Sequence, residues 1–261
     1  MKPHVSMPDL QKTDILQCGY VQLFIHGCHA VALDWSSSTV EDALDGGTLH
    51  EWASIQPLRE EMRGRGTVYA VDLPVNPPVP VVVRRNRHGG LLGSLTGEYF
   101  LTPTRAPLEL STSLRLAAAG IATPEVIAYA IYPAAGIFAR SDVMTRRLPA
   151  GNDFPAAWMK ANKTDRDLIL LVTESLLVSL ANAEAWHADL NLKNIYIAGT
   201  GPDMTAYLLD VDRVTFPGGV DIAGRNFRRL ERSARKWRTR WGLDFDEKSL
   251  AQLAVHLQEK R

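Results

Sequence analysis

His187-Ala188-Asp189-Leu190-Asn191-Leu192-Lys193-Asn194 decides the fold of this chain, and Leu208-Leu209-Asp210-Val211-Asp212 follows a short way downstream. The carboxylate of Asp189 can accept a proton from a substrate group. Asn194 and Asp210 offer oxygen atoms of the hard type that Mg²⁺ prefers. Three side chains with matched chemistry therefore fall within a short length of sequence.

The first stretch has the spacing H-x-D-L-x-x-x-N, and an Asp that closes an apolar run follows it; this is the layout of a kinase catalytic loop and its metal-binding Asp. Phosphoryl transfer needs a carboxylate to orient the acceptor hydroxyl and oxygen ligands to hold magnesium on the phosphates. We predict that Asp189 is the catalytic base and that Asn194 and Asp210 bind Mg²⁺. The alternative for Asp189 is a solvated loop carboxylate. His187 is predicted to brace the loop, and Asp212 is either a further metal ligand or a helix cap.

Composition describes an ordinary globular protein. The chain has 261 residues, of which 46% are hydrophobic and 22% are charged, and its formal net charge is zero. No apolar run approaches the about 20 residues that span a bilayer, and the N-terminal sequence lacks a signal-peptide core. We therefore expect a cytoplasmic protein.

The surrounding pattern predicts an α+β chain. Apolar periodicity predicts a long helix over Arg166–Trp186, which leads into His187. Runs of β-branched and aromatic residues predict a β-rich first third, with a short helix over Leu49–Met62. The predicted strands are Val21–Ile25, Ala30–Leu33, a hairpin of Val68–Leu73 and Val79–Arg84, Val126–Ala130, Phe138–Met144, and a second hairpin of Ile195–Ile197 and Ala206–Leu209.

A further helix is predicted from Pro107 to the residue before Gly120, with Leu110, Leu114 and Ala118 as its buried stripe. The segment Met144–Asn152 carries Pro and Gly and is the expected linker. These elements predict a two-lobed, protein-kinase-like α+β fold. Its β-rich N-lobe covers residues 1–146, and a shortened helical C-lobe covers residues 147–261.

Candidate nucleotide-binding residues lie in the first half of the chain. Arg84 ends a predicted strand after a glycine-rich turn, where kinases place a lysine for the α- and β-phosphates, and the alternative is an exposed strand-end arginine. Glu109 is a possible partner of Arg84, or an acidic residue favoured by a helix N-terminus. Gly64 and Gly66 would let backbone N–H groups approach phosphates, although such pairs also mark plain turns.

The C-terminal region is strongly basic. Residues 225–240 hold eight Lys and Arg side chains against the single Glu231. Phe227, Leu230, Ala234 and Trp237 fall on one helical face among them, a pattern that suits an anionic membrane or an acidic glycolipid. The alternatives are a solvated helix face or nucleic acid, and no aromatic stacking platform elsewhere favours nucleic acid. The predicted binding residues are Arg225, Arg228, Arg229, Arg232, Arg235 and Lys236.

With these residues described, the chain resembles the 3-deoxy-D-manno-octulosonic acid (Kdo) kinases, a lipopolysaccharide kinase family with a protein-kinase-like fold. The resemblance covers roughly residues 60–240 and is strongest at W-H-A-D-L-N, close to the family's Y-H-A-D-L-N. Five segments carry it: Trp186–Asn191, Leu209–Arg213, Arg225–Lys236, Arg84–Gly93 and Gly120–Pro124. Lys193 and Asn86 depart from the family pattern, which places a His and an aromatic residue there.

The resemblance implies ATP- and Mg²⁺-dependent phosphorylation of a Kdo hydroxyl on Kdo-lipid A or another lipopolysaccharide core acceptor. It places the protein on the cytoplasmic face of the inner membrane, as a peripheral protein on an anionic surface. It also implies that Asp189 is the base, that Asn194 and Asp210 bind metal, and that Arg84 replaces the usual lysine with Glu109 as its partner.

A protein substrate is not expected. Ala188 replaces the arginine by which many protein kinases sense activation-loop phosphorylation, and about fifty residues follow Asp210, too few for a full activation segment and the helices behind it. A lipopolysaccharide heptose kinase, or another sugar kinase with the same core, is the alternative enzyme. A catalytically inactive glycolipid-binding module is the alternative from a different class.

Overall fold

The computed structural model describes residues 12–63, 66–86, 99–101, 104–134, 136–218 and 221–254. The chain forms two compact units. Of the described residues, those between 12 and 111 and those of Glu125–Arg147 form the sheet unit, and those of Thr112–Pro124 and between 148 and 254 form the helical unit. The predicted boundary between residues 146 and 147 stays a prediction.

The sheet unit is built on one antiparallel sheet. Among the described residues its strands run in the order β1-β2-β7-β8-β5-β4-β3, and β6 pairs with β8. The strands are β1 (Tyr20–Ile25), β2 (Cys28–Leu33), β3 (Glu60–Arg63), β4 (Thr67–Leu73), β5 (Val79–Arg85), β6 (Phe100–Leu101), β7 (Val126–Pro133) and β8 (Phe138–Arg146). The predicted strands of this unit and its predicted hairpin are confirmed, because β4 pairs with β5 from Val68↔Arg84 to Leu73↔Val79.

The predicted helix over Leu49–Met62 is wrong in its second half. Helix α3 (Leu49–Ser54) begins at a capping box formed by Thr48 and Glu51, and the chain then leaves the helix before Pro57. The following Glu60–Arg63 forms β3 at the edge of the sheet, where it pairs with β4. Pairing with a neighbouring strand has overridden the weak strand propensity of two glutamates.

Residues 20–33 add two strands to the sheet. After helix α1 (Lys12–Gln17), strands β1 and β2 form a hairpin, and β2 pairs with β7 from His29↔Ile131 to Ala32↔Ala128. Helices α2 (Ser37–Asp45) and α3 follow. A fully buried Asp142 on β8 fixes α3 to the sheet, since it accepts the backbone N–H of His50 at 3.0 Å and an Arg85 N–H at 3.3 Å. Burial raises the pKa of Asp142.

Helix α4 (Ala106–Ala118) confirms the helix predicted from Pro107. Its end is also as predicted, because Gly120 adopts the left-handed conformation with φ of +73°. The predicted stripe is wrong beyond Leu110, since Leu114 is half-buried and Ala118 is exposed. Leu116 is fully buried instead.

The helical unit contains helices α5 (Phe154–Lys160), α6 (Lys163–Asn182), α7 (Ile222–Trp241) and α8 (Glu247–Gln252). Its core joins α6, α7 and α8 and includes Leu177, Leu180, Leu190, Leu230 and Phe245. The hairpin predicted after the loop is confirmed as β11 (Ile195–Ala198) paired with β12 (Thr205–Leu208). Strand β9 (Gly151–Asp153) adds a third strand to it, so the predicted linker shortens to residues 147–150.

The long helix ends earlier than predicted. Helix α6 stops at Asn182, and Glu184 takes a left-handed conformation with φ of +52°, which turns the chain out of the helix. Trp186 and His187 then form the short strand β10, which pairs with β13 (Val214–Thr215). In the part of the chain that the structure describes, no helix combines the length and apolar character needed to cross a bilayer.

Candidate active site

The loop after β10 is held by a fully buried histidine. The backbone N–H of Asp189 donates to Nδ1 of His187 at 3.1 Å, and Nε2 of the same ring lies 3.1 Å from the carbonyl oxygen of Leu209. Nδ1 must accept, so Nε2 carries the proton and donates to Leu209. Burial lowers the pKa of His187, which keeps the ring neutral. His187 therefore ties the loop to the residue before Asp210, and its predicted bracing role is confirmed.

Two asparagine side chains fix the backbone at Asp189. The amide groups of Asn191 and Asn194 donate to the carbonyl oxygen of Asp189 at 3.0 Å and 2.9 Å. Asn194 is buried, whereas the side chain of Asp189 is exposed. The carboxylate is thus presented to solvent on a backbone that its own neighbours hold in place.

Asp210 lies beside Asn194. The backbone N–H of Leu209 donates to the carbonyl oxygen of Asn194 at 2.8 Å, which extends the β11–β12 hairpin by one more pair. Asp210 itself is exposed and left-handed, with φ of +53°. A non-glycine residue in this conformation costs free energy and is typical of functional sites, although Asp tolerates it better than most residues. The structure therefore brings Asp189, Asn194 and Asp210 to one region.

Asp212 is not a helix cap. It lies inside a 3₁₀ turn, Val211–Arg213, whose N-cap is Asp210, and helix α7 is capped by Asp221. The carboxylate of Asp212 lies 4.0 Å from the Arg213 guanidinium. The helix-cap alternative is therefore wrong, and a metal-binding role for Asp212 remains a prediction.

Helix α7 clamps the loop on both sides of Asp189. Before it, the buried Asn226 accepts the backbone N–H of His187 at 3.1 Å and donates to the carbonyl oxygen of Ala185 at 2.9 Å. After it, the hydroxyl of Ser233 accepts the backbone N–H of Leu192 at 3.1 Å. Sequence reasoning missed both positioning residues. Their signal is that two polar residues, seven apart, lie along the apolar face of a helix, where a buried polar group needs a partner.

The apolar face of α7 packs against the protein's own core. Leu230 and Ala234 are buried in the core of the helical unit, and Phe227 and Trp237 pack against it. The helix is therefore amphipathic because it closes a protein core, and binding of a membrane or glycolipid by its basic residues remains a prediction. Its cationic side remains as the surface for an anion.

A cleft of about 660 Å³ joins the loop to this cationic side. The loop contributes Asp189 and Lys193 to its lining, and α7 contributes cationic and aromatic side chains. The lining residues are Asp189, Leu190, Asn191, Lys193, Arg229, Arg232, Ser233, Lys236, Trp237 and Trp241. The exposed carboxylate thus opens into a space with a cationic wall.

The other predicted basic residues of α7 have different partners. Arg228 pairs with Asp221 at 3.4 Å, and Arg235 pairs with Glu231 at 2.9 Å. The guanidinium of Arg225 lies over the ring of Trp186 at 5.6 Å. The structure therefore divides the six predicted binding residues into Arg229, Arg232 and Lys236, which line the cleft, and Arg225, Arg228 and Arg235, which do not.

In the sheet unit, Arg84 and Glu109 form the predicted ion pair. The Glu109 side chain is 7% exposed and that of Arg84 is 33% exposed, so Arg84 is the more accessible member of the pair. The buried Asn86 accepts another Arg84 N–H at 2.8 Å and donates to the Ser141 hydroxyl at 3.2 Å. Asn86 thus positions the guanidinium, a role that sequence reasoning did not give it.

The structure describes only one of the two glycines that are predicted to approach phosphates. Gly66 lies in the turn between β3 and β4, which pair up to Arg63↔Thr67. Gly64 lies outside the described residues. Residues 87–93, the remainder of the Arg84–Gly93 segment that resembles the family, lie outside them as well.

The β-rich unit carries a partly buried Arg–Glu pair, and the helical unit carries this loop and its adjacent Asp. These are the features of a phosphotransferase with a protein-kinase-like α+β fold. The family model of the lipopolysaccharide kinase (Kdo/WaaP) family matches residues 50–254. The chain belongs to that family.

Curated relatives agree with this. The chain is 24% identical over 211 residues to the 3-deoxy-D-manno-octulosonic acid kinase of Pasteurella multocida (strain Pm70), covering 79% of this chain and 87% of that protein. It is 26% identical over 225 residues to the enzyme of the same name from Haemophilus influenzae (strain 86-028NP), covering 83% and 91%. The solved structure of WaaP in complex with acyl carrier protein has a TM-score of 0.50 at 16% identity, with 77% of this chain and 78% of that chain covered.

Proposed function

We propose that this chain transfers the γ-phosphoryl group of ATP to a hydroxyl of Kdo in the lipopolysaccharide inner core. The name shared by its curated relatives supports the acceptor. The single observation that carries the chemistry is the Asp189 loop, in which His187 and Asn194 hold the backbone while the carboxylate stays exposed at the edge of a cleft.

Asp189 acts as the general base in this proposal. Its carboxylate accepts the proton of the acceptor hydroxyl as the oxygen attacks the γ-phosphorus, and the bond to the β-phosphate oxygen breaks to release ADP. A fixed backbone matters because a base must lie within hydrogen-bonding reach of the proton that it removes.

Asn194 and Asp210 fit a magnesium site by their chemistry. Since the Asn194 amide nitrogen donates to Asp189, its Oδ1 remains as the oxygen that a cation would contact. Among the residues that the structure describes, no three His, Cys, Asp or Glu side chains form a metal cluster. That fits Mg²⁺, which binds one or two protein oxygens plus substrate phosphates and waters. Bound there, the ion would neutralise charge on the phosphates.

In the sheet unit we propose that Arg84 binds nucleotide phosphates and that Glu109 orients it. Arginine is always charged and has a forked donor geometry, so one edge can hold a carboxylate while another meets a phosphate. Gly66, in the turn between β3 and β4, would bring its backbone N–H to the phosphates, and the same role for Gly64 stays a prediction from the sequence.

We also propose that the protein works on the cytoplasmic face of the inner membrane, because the acceptor is a glycolipid. With the apolar face of α7 buried, attraction to an anionic surface would rest on exposed arginines such as Arg225 and Arg228, and it would weaken with salt. Nucleic acid and protein substrates stay outside the proposal.

The test is ADP release from Mg·ATP with three preparations: a Kdo-bearing lipid A precursor, a heptose-bearing core, and no acceptor. We expect release with the Kdo acceptor alone, with a phosphomonoester on Kdo identified by mass spectrometry. Release with heptose alone would replace the proposed acceptor with heptose. Absence of release with either acceptor would contradict the proposal and favour a binding module.

A further inference from the structure

The three cleft-lining cations of α7 form an unusual row. Arg229, Arg232 and Lys236 are spaced three and four residues apart, so they share one helical face. Like charges at this spacing repel one another and destabilise an isolated helix. Arg228 and Arg235, on the same helix, are offset by Asp221 and Glu231. A row of cations along a cleft is best accounted for by an anion that the cleft binds.

The cleft places that anion close to the reacting group. The same lining contains Asp189, the proposed base, and Lys193, whose Nζ lies 3.7 Å from a carboxylate oxygen of Asp153. Its charged lining residues are therefore four cations and one carboxylate. An acceptor whose hydroxyl reaches Asp189 would bring its own neighbouring substituents against Arg229, Arg232 and Lys236.

Two aromatic residues also line the cleft. Trp237 and Trp241 have ring centroids 4.4 Å apart, and Trp241 is 53% exposed although it is a large apolar side chain. Lys236 lies over the Trp241 ring at 5.7 Å. An exposed indole beside cations offers a flat apolar surface next to charge, as ligand sites with a few placed polar groups do. The C–H face of a sugar ring matches that surface.

Resting on the proposed function, we infer that Arg229, Arg232 and Lys236 bind the carboxylate of the sugar acid that is phosphorylated, and that Trp241 packs against its ring. Guanidinium groups match a carboxylate with paired hydrogen bonds, and a carboxylate lies on the reacting sugar itself. The cleft thus selects an acidic sugar over a neutral one. Arg229 and Arg232 are specificity-determining residues in this assignment.

The test pairs a change in the enzyme with a matched change in the acceptor. The two acceptors are the Kdo-bearing lipid A precursor and the same precursor with the Kdo carboxylate converted to its methyl ester, so the lipid phosphates are identical. The enzymes are the wild type, Arg229→Ala, Arg232→Ala and, as a control, Arg240→Ala, an exposed arginine of the same helix outside the cleft lining.

We expect Arg229→Ala and Arg232→Ala to raise the KM for the acid about tenfold to a hundredfold, the effect of one lost charge-assisted hydrogen bond. The KM for Mg·ATP and the melting temperature should stay at wild-type values, and Arg240→Ala should behave as wild type. The ester should raise the wild-type KM at least as much, because it removes the charge that all three cations contact, while each variant should prefer the acid less strongly than wild type does.

Three results would overturn the inference. If wild type uses acid and ester equally, the proposed kinase activity stands but the carboxylate site is wrong. If the variants lose both acceptors to the same degree and still prefer the acid, the cations contact the lipid phosphates instead. If wild type phosphorylates neither acceptor, the proposed function fails, and this inference fails with it.

Discussion

The Asp189 loop and the Arg84–Glu109 pair both hold charged side chains for phosphate chemistry, but the protein builds them differently. In the loop, Asp189 is fixed by Asn191 and Asn194, two and five residues away. In the sheet unit, Arg84 meets a carboxylate 25 residues away, on a helix outside the sheet. A short motif can specify the first arrangement, whereas only the folded sheet unit can specify the second.

Exposure differs as well. The carboxylates of Asp189 and Asp210 are on exposed residues, while Glu109 is buried against a guanidinium that is itself only partly open. In our proposal the exposed carboxylates of the loop contact the reacting atoms, and the ion pair supplies one cation, Arg84, that Glu109 orients. From this difference we expect substitutions in the loop to act on turnover and substitutions at the pair to act on nucleotide affinity.

Apart from loss of the base itself, the largest effect should follow from Asp210→Asn. Removing the anionic ligand weakens Mg²⁺ binding, and metal-ion charge stabilisation is worth several kcal/mol in the transition state, so kcat should fall about 10³-fold. Titration of activity with Mg²⁺ should show that more metal is needed for half-maximal rate. Asp203→Asn, an exposed aspartate in the β11–β12 turn, is the control and should match wild type. If Asp210→Asn needed no more Mg²⁺ than wild type for half-maximal rate, Asp210 would not be a metal ligand.

A smaller effect is expected at the ion pair. Arg84→Ala should raise the KM for Mg·ATP by about tenfold to a hundredfold, because a charge-assisted contact to phosphate is lost. Glu109→Gln keeps a hydrogen-bond acceptor but loses the charge, so it should have a weaker effect of the same kind. Steady-state kinetics with varied ATP measures both, and the exposed Arg59→Ala is the control. If Arg84→Ala left the KM for Mg·ATP unchanged and lowered kcat alone, the ion pair would act on turnover and not on nucleotide affinity, which would contradict the account.

The smallest effect concerns the pH dependence of stability. Burial lowers the pKa of His187, so below the ordinary histidine pKa of about 6.5 the unfolded chain binds a proton that the native ring does not. The native state therefore loses up to about 1.4 kcal/mol of stability per pH unit as pH falls through this window. We expect His187→Gln to be less stable than wild type at pH 7.5. Between pH 7 and pH 5.5 its free energy of unfolding, measured with urea, should fall less steeply than that of wild type. An identical slope in both proteins would contradict the neutral, buried imidazole.

The sequence was sufficient for elements that rest on local signals. The β4–β5 hairpin follows from two β-branched runs around a proline-rich turn, and α4 follows from Pro107 and Gly120. The loop motif likewise predicted the bracing role of His187, because its bond to the Asp189 backbone lies within the motif, although its bond to Leu209 does not.

Other features depend on partners that no local pattern reveals. Strand β3 forms from a glutamate-rich segment because β4 offers a free edge, and β9 joins a hairpin some forty residues further along the chain. The apolar face of α7 gives the same periodicity whether it faces lipid or a protein core, so its burial could not be decided from the pattern. The roles of Asn226 and Ser233 could not be predicted either, because their hydrogen-bond partners are backbone groups of a loop that is distant in the sequence.

The most direct test of the loop's role is Asp189→Asn, measured for both turnover and nucleotide binding with the Kdo-bearing lipid A precursor. Asparagine keeps the size of the side chain and its place on the backbone but cannot accept the hydroxyl proton as a carboxylate does. We expect kcat to fall by about 10²–10⁴-fold, the usual effect of losing a general base, while calorimetry shows Mg·ATP affinity as in wild type. Turnover near the wild-type value with unchanged ATP affinity would show that Asp189 is not the base.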